Sequence, residues 1–315
     1  NLNKNFFYAI YDLEYYPNTF NFVEFLVLCN IESKKRDNKK YIVLIIPKKL
    51  NSLNNDIEYY KIIDHSSYKW RLYNLIIPLT YCSDLCINFN LFQDRHNAYN
   101  FIKDKEVFPD GYTSNIHIPL NISRLYSSKD TIDLGGISSP QYSLSLVKNW
   151  IKSKNISKKI VTISIRDQKF DKVRNSNIDE WVKFSSYLIE NNFLPIIIPD
   201  TESDLNLPSL FHNCYISYES SYNILFRLAL NEIAFVNLFV SHGPLSLCAF
   251  NGNTKYIIMH YGPKKGSITD NVQAYKDAND FKKGNYIFSK KNQIRSWKED
   301  TFENILQEFK NLKIN

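Results

Sequence analysis

The chain has 315 residues, of which 44% are hydrophobic and 23% are charged, and its formal net charge is +7. This composition is typical of a globular protein that is long enough for one large or two medium domains. No apolar run reaches the roughly 18 residues of a membrane-spanning helix, and the scattered lysines lack the interleaved aromatic residues of a nucleic-acid-binding stripe. The odd number of cysteines, most of them in apolar runs, indicates free thiols in a reducing compartment. We expect a cytoplasmic protein that binds no nucleic acid, and whose lysine clusters can attract an anionic substrate or the inner face of a membrane.

The first half of the sequence predicts a strand, a helix and a strand in close succession. The run FFYAIYDL (6–13) is compact and apolar, and YIVLIIP (41–47) is β-branched and closed by a proline, so both are typical of buried strands. Apolar residues at helical spacing lie between them. A strand–helix–strand unit of this length implies a parallel sheet with a right-handed crossover. The run 68–79 continues the pattern, whereas 84–128 is less regular.

The glycine- and serine-rich stretch DLGGISSPQ (133–141) is predicted to link two domains, because the same alternation begins again after it. The predicted strands of the second half cover 159–165, 193–200, 214–217, 237–242 and 255–262, and its predicted helices cover 177–191, 221–235 and 300–314. We therefore expect an α/β protein of two Rossmann-like, doubly wound domains facing a cleft, over 1–140 and 141–299. In such sheets, ligands bind at the carboxyl ends of the strands.

Two arginines follow the first predicted strand of the second domain. Arg166 lies directly at the strand end, and Arg174 lies in the Asn- and Ser-rich loop before the next helix. The planar guanidinium group matches phosphate in a bidentate manner, so the pair suits a doubly negative ligand. Solvated surface charges are the alternative interpretation of both. Asn175 and Ser176 follow, and we predict that they cap the helix that comes next and belong to the same ligand-binding site.

The next strand end carries an acidic turn, PDTESD (199–204). Asp200 and Glu202 can accept hydrogen bonds from ribose hydroxyls, hold a metal ion or form a turn without a ligand. The end of the strand 237–242 leads through His242 into a short predicted helix, and the N-terminal amides of such a helix can face an anion. The predicted binding residues of this segment are Ser241, Gly243, Pro244, Leu245 and Ser246. His242 can donate a hydrogen bond or a proton, or be structural.

Together, the arginines, the acidic turn and the helix start indicate a site for a nucleotide-diphosphate sugar. The segments SIRDQ (164–168), PDTESD (199–204) and SHGPLSLCAF (241–250) resemble, in order and spacing, the donor half of the glycosyltransferases with the GT-B fold, above all the heptosyltransferase-like enzymes. They are also similar to the GDP-fucose-using fucosyltransferases, although SIRDQ lacks the histidine and the second adjacent arginine of that family's first motif. The resemblance implies that the donor binds mainly to the second domain and that a final helix (300–315) packs back on the first.

The resemblance further implies a bacterial glycosyltransferase of polysaccharide biosynthesis. Such an enzyme moves a sugar from its nucleotide donor to a glycan, lipid-linked or other hydroxyl acceptor, with neither a metal ion nor another cofactor. Asp12 has the position at which heptosyltransferase-like enzymes carry their base, and Glu14 follows it. One carboxylate is enough for an inverting transfer, and His242 is the third candidate for a catalytic role. A turn or capping role is the alternative for Asp12.

Two other classes of protein fit the same residues. A nucleotide-sugar epimerase or a pyruvyl transferase would have a similar donor site but a different first half. A non-catalytic glycan-binding or interaction domain would keep the fold without the chemistry, because fold alone does not determine function.

Overall fold

The computed structural model of the protein describes residues 5–49, 64–169, 172–260 and 284–312. It divides into two compact units. The first unit comprises Asn1–Leu125 and Asp130–Ile137, and the second comprises Tyr126–Lys129 and Ser138–Asn315. Each unit has its own sheet, and all the strand pairs described in both sheets are parallel. The predicted α/β class with two parallel sheets is therefore confirmed.

The first unit is built on a four-stranded sheet in the order β3–β2–β1–β4. Its strands are β1 (Phe6–Asp12), β2 (Lys40–Ile46), β3 (Cys86–Leu91) and β4 (Val107–Phe108). The α-helices that the structure describes in this half of the chain are α1 (Asn21–Lys35), α2 (His65–Arg71), α3 (Ile77–Leu79), α4 (Arg95–Ile102), α5 (Ser123–Ser127) and α6 (Thr131–Gly135). β1 lies inside the sheet and is almost entirely buried, as its apolar run predicts.

The run 68–79 is helical rather than part of a strand–helix alternation. α2 begins after Asp64, whose side chain accepts a hydrogen bond from the amide of Ser67, and the chain then passes through a π-helical turn, Leu72–Ile76, into α3. A short apolar run does not by itself distinguish a strand from a buried helix. Here the capping aspartate favours a helix, because its side chain pairs with one of the backbone amides that have no partner within the first turn of a helix.

The predicted linker begins as α6, which packs against α1. Gly135 permits this contact, because a Cβ atom at that position would lie 2.6 Å from the carbonyl oxygen of Val27. The side-chain amide of Asn30 also donates to the carbonyl oxygen of Gly135 over 3.0 Å. Gly135 therefore allows α6 and α1 to pack closely in the first unit.

The second unit is built on a six-stranded sheet in the order β10–β9–β8–β5–β6–β7. Its strands are β5 (Lys159–Ser164), β6 (Phe193–Ile198), β7 (Tyr215–Ile216), β8 (Val236–Val240), β9 (Tyr256–Met259) and β10 (Gln293–Arg295). Its described α-helices are α7 (Gln141–Ser153), α8 (Ile178–Glu190), α9 (Leu207–Leu210), α10 (Glu219–Tyr222), α11 (Ile224–Ile233), α12 (Leu245–Ala249) and α13 (Phe302–Asn311). Each strand predicted for this half overlaps an observed strand, and residues 261–262 of the last predicted strand lie outside the described residues.

The C-terminal helix α13 belongs to the second unit, which corrects the expectation that it packs back on the first domain. Phe309 is buried in the second unit's core, with its ring 5.5 Å from that of Phe184 on α8. Asp300, just before α13, accepts hydrogen bonds of 2.8 Å from the indole of Trp181 and from the amide of Asn177. An amphipathic sequence shows that one face of a helix is buried, but it does not specify the sheet that covers this face.

Candidate functional site

The carboxyl end of β5 is the topological switch point of the second sheet. β5 is the first strand of this sheet in the chain, and it pairs with β6 on one side and β8 on the other. Its last residue, Ser164, lies opposite Ile198 of β6 and Phe239 of β8. The crossovers diverge at such a point, which leaves a crevice where ligands bind. The structure therefore brings the three strand ends singled out in the sequence to one edge of one sheet.

Arg166 leads the loop that follows β5. It is only 5% exposed, and its backbone amide and carbonyl oxygen each form a 2.9 Å hydrogen bond with Ser176. Its guanidinium group donates to Oδ1 of Asn175, which also accepts from the amide of Gln168 over 3.0 Å. Asn175 and Ser176 thus close the loop around Arg166. The predicted helix cap is wrong, because α8 begins at Ile178 without any side-chain cap.

Arg174 connects this loop to the end of β8. Its Nη2 donates to the carbonyl oxygen of Ser241 over 3.2 Å. On the same serine, the hydroxyl group accepts a 3.2 Å hydrogen bond from Arg295, a buried arginine at the end of β10. Sequence analysis missed Arg295, because it lies on a short edge strand without a strong apolar run. The arginines give this edge of the sheet a positive character.

The acidic turn contributes one buried carboxylate to the same edge. Asp200 accepts hydrogen bonds from the amide of Asp167 over 3.3 Å and from the side chain of Gln168. Burial raises the pKa of Asp200, and these hydrogen bonds oppose the increase. Glu202 is exposed on the turn, and the exposed Asp204 forms an ion pair of 3.3 Å with Lys169. Asp200 therefore lies against the loop of Arg166.

His242 lies buried at the end of β8. Its Nδ1 is 2.7 Å from the carbonyl oxygen of Val240, which makes this nitrogen the hydrogen-bond donor of a neutral ring and Nε2 an acceptor. Burial lowers the pKa of His242 to about 3, with further contributions from the positive charges of Arg227, Arg166 and Arg174. The imidazole is therefore neutral near pH 7 in the free protein, and it has no proton to give from Nε2.

The turn after His242 differs from its prediction. The helix α12 has only 5 residues, and the amides of Leu245 and Ser246 already donate to the carbonyl oxygens of His242 and Gly243 over 3.1 and 3.2 Å. The hydroxyl group of Ser246 also donates to Gly243. Pro244 has no amide hydrogen to offer. The anion-facing role predicted for the amides of Leu245 and Ser246 is therefore wrong.

Arg227 is a buried arginine that sequence analysis missed. It is 6% exposed on α11, and its Nη2 donates to the hydroxyl group of Ser164 over 2.9 Å at the carboxyl end of β5. Its Nε has no hydrogen-bond partner among the residues that the structure describes. Burial lowers the pKa of Arg227 to about 10, although the charge of Asp200 opposes this effect. The guanidinium group is nevertheless charged near neutral pH. Its hydrogen bond to Ser164 places this charge at the switch point.

The first unit carries its own polar cluster at the end of β1. Asp12 is 1% exposed, and its carboxylate accepts two 2.7 Å hydrogen bonds from Arg95. Tyr112 donates to the same carboxylate, and the amide of Glu14 does so over 3.0 Å. An ionised carboxylate has about four acceptor positions, so these contacts saturate it. The role of Asp12 as a base stays a prediction, and its contacts are those of a positioning residue.

Glu14 is half-buried and less constrained. Its Oε2 accepts a 2.8 Å hydrogen bond from the amide of Lys49, while Oε1 accepts none among the described parts of the chain. His117, which sequence analysis did not single out, also lies in this unit with its ring stacked on that of Tyr15 at 3.6 Å. Burial lowers the pKa of His117, and the charge of Asp12 opposes this effect.

Comparison with solved structures finds the same fold among glycosyltransferases. Escherichia coli ADP-heptose LPS heptosyltransferase II matches with a TM-score of 0.59, covering 97% of this chain and 98% of that chain at 10% sequence identity. The family 9 glycosyl transferase of Veillonella parvula DSM 2008 matches with a TM-score of 0.58, covering 99% and 97% at 9% identity. No protein-family model and no curated protein sequence matches the chain. The chain has the GT-B fold of these heptosyltransferase-like proteins, as its sequence predicts.

No group of three His, Cys, Asp or Glu side chains within residues 5–49, 64–169, 172–260 and 284–312 is placed to hold a metal ion. Within the same ranges, none of the helices combines the length and the apolar character that crossing a bilayer requires. Independence from metal ions and peripheral membrane contact both stay predictions.

Proposed function

We propose that the protein is a glycosyltransferase whose second unit binds a nucleotide-diphosphate sugar. The observation that carries this proposal is the grouping of Arg166, Arg174 and the buried Arg227 at the switch point after β5. Guanidinium groups are the usual partners of phosphate oxygens, and an edge of this kind is where parallel sheets bind nucleotides. Arg166 and Arg174 hold the diphosphate, and Asp200 lies beside them on the acidic turn.

The donor that the comparisons favour is an ADP-sugar. One solved structure with this fold is named for ADP-heptose. Adenine is therefore the first base to test, and a heptose or hexose the first sugar. The acceptor is a glycan or lipid-linked hydroxyl group of bacterial polysaccharide biosynthesis.

The reaction we propose is an inverting transfer without a metal ion. A carboxylate of the first unit removes the proton of the acceptor hydroxyl group, which then attacks the anomeric carbon of the donor. Glu14 is the better candidate for this base, because Asp12 is saturated by Arg95 and Tyr112 and holds the amide of Glu14. The arginines of the second unit stabilise the negative charge that grows on the departing diphosphate.

A thermal-shift panel tests the donor site. We expect one of ADP, GDP, UDP and CMP, or a sugar derivative of one of them, to raise the melting temperature. A ligand at a hundredfold excess over its Kd stabilises the folded state by about 2.7 kcal/mol. The nucleotide that raises the melting temperature identifies the base, and the shift should shrink in Arg166→Ala. The absence of any shift in the whole panel would contradict the proposal and favour the non-catalytic glycan-binding alternative.

A further inference from the structure

The edge of the second sheet at which its strands begin carries a row of exposed lysines. We call it the amino edge, and it lies at the opposite end of the strands from the switch point. These lysines mark the starts of three strands, with Lys158 and Lys159 at β5, Lys255 before β9, and Lys290 and Lys291 before β10. Because the strands are parallel, their first residues meet at one edge. The lysines therefore give this edge a positive charge.

Contacts around the start of β8 show that the row is continuous. Lys159 and Lys255 flank the ring of Phe235, which directly precedes β8, and their Nζ atoms lie 5.2 and 5.4 Å from its centroid. The amide of Tyr256 donates to the carbonyl oxygen of Asn292, just before β10, over 3.1 Å. The positive charges thus extend across four neighbouring strands, from β5 through β8 and β9 to β10.

Few carboxylates oppose this charge. No acidic residue occurs in the segments that carry the lysines, which are 151–159, 253–256 and 289–293. Glu190 precedes β6 and Glu232 precedes β8, but the carboxylate of Glu232 is already bonded to a backbone amide and to an asparagine side chain. Within the described ranges of the chain, none of Lys158, Lys159 and Lys255 forms an ion pair. Their charges are therefore available to an anionic partner.

An apolar depression of about 340 Å³ lies beside these lysines. The apolar side chains that line it are those of Ile151, Ile156, Ile160, Ile233 and Phe235. Lys158 and Lys159 line it as well. A lysine can lay its alkyl stem along an apolar surface while its ammonium group reaches an anion or water. The amino edge therefore combines an apolar recess with mobile positive charges.

We infer that the amino edge of the second sheet docks on an anionic lipid membrane, with the lysines against the phosphate-bearing headgroups and the depression against the acyl chains. Clusters of about 4–8 basic residues are typical of proteins that bind anionic lipids. A protein partner fits less well, because lysine is depleted at protein–protein interfaces. Lysine also lacks the planar fork with which arginine recognises one defined anionic group.

The docking surface is separate from the proposed donor site. β5 has 6 residues, and at about 3.3 Å per residue they place the amino edge about 20 Å from the switch point. A membrane at the amino edge therefore does not cover the arginines at the other end of β5. The inference does not rest on the proposed function, since it uses none of these arginines.

Cosedimentation of the full chain with lipid vesicles tests the inference. One set of vesicles is phosphatidylcholine alone, and the other contains about a third of phosphatidylglycerol, which supplies the negative surface charge that attracts lysines. We expect binding to the anionic vesicles and little binding to the neutral ones. High salt should release the protein, because the Debye length falls from about 10 Å at 0.1 M to about 3 Å at 1 M.

The triple variant Lys158→Gln/Lys159→Gln/Lys255→Gln should weaken binding to the anionic vesicles by about 100-fold. A lysine beside such a surface contributes about a fivefold change in affinity, which corresponds to about 1 kcal/mol. Replacing the same three residues by arginine keeps their charges and should keep the wild-type affinity. Circular dichroism melts establish that the variants are folded. Should the glutamine triple not fold, Lys290→Gln/Lys291→Gln removes two exposed charges of the same edge and should weaken binding by roughly 20-fold.

The matched control is Lys103→Gln/Lys148→Gln/Lys183→Gln, which removes three exposed lysines that do not belong to the amino edge. It has the same net charge as the glutamine triple and should keep nearly the wild-type affinity. An equal loss in this control would show that the overall charge, and not the amino edge, attracts the vesicles. That result would overturn the inference, as would equal binding to neutral vesicles or no binding of the wild type to anionic ones. None of these results would affect the proposed donor site, which the nucleotide panel tests.

Discussion

Arg166→Ala is expected to weaken binding of the nucleoside diphosphate by roughly 10- to 100-fold. The variant removes charge-assisted hydrogen bonds to phosphate, which contribute about 1.5–3 kcal/mol each, and each 1.4 kcal/mol is about a tenfold change in affinity. Arg166 is well placed for this role because Asn175 and Ser176 hold its loop in one conformation. Titration calorimetry with the nucleotide found in the thermal-shift panel measures the effect.

The matched control for this variant is Lys148→Ala, which removes a positive charge from the exposed side of α7. It should change the affinity by no more than about twofold, since isolated surface charges are largely screened by salt. If folded Arg166→Ala and Arg174→Ala both kept the wild-type affinity, the diphosphate would not lie against these arginines. The proposed donor site would then have to be abandoned.

Asp12→Asn is expected to destabilise the protein by about 3 kcal/mol, because it leaves Arg95 largely buried without its partner charge. Tyr112→Phe is a milder comparison that removes one hydrogen bond and should cost about 1 kcal/mol. Urea denaturation measures both effects through the transition midpoint.

Glu14→Gln should leave stability almost unchanged, but it should slow release of the nucleoside diphosphate by about 10²–10⁴-fold if Glu14 is the base.

The double variant Asp12→Asn/Arg95→Met separates a positioning role of Asp12 from a catalytic one. Removing both partners of a buried ion pair leaves no unpaired charge, so we expect much of the lost stability to return. If Asp12 only positions Glu14, turnover should return in part as well. A stable double variant without turnover, together with an active Glu14→Gln, would show that Asp12 is the base.

The sequence predicted the strands that lie inside the two sheets, because these are continuous apolar runs. β1, β2, β5 and β8 are of this kind, and each is buried over nearly its whole length. The edge strand β3 (Cys86–Leu91) escaped detection because none of its residues is fully buried and it lacks a regular apolar pattern. The position of α13 was also missed, since its apolar face would suit either sheet.

The candidate site was predictable only in part. The rule that ligands bind at the carboxyl ends of parallel strands was enough to single out Arg166 and Arg174. Arg227 was missed because it lies within the helix α11, in the apolar run LFRLAL (225–230), and reaches the strand end only through packing. The hydrogen bonds that occupy the amides of Leu245 and Ser246 depend on the turn geometry, which the residue types do not specify.

Binding of a nucleotide diphosphate at the switch point after β5 underlies the proposed function. A crystal structure of the protein with the nucleotide identified in the thermal-shift panel would locate the diphosphate. We predict phosphate oxygens within about 3 Å of the guanidinium nitrogens of Arg166 and Arg174, which is hydrogen-bond distance. A nucleotide bound elsewhere, with neither arginine in contact with its phosphates, would rule out the proposed donor site.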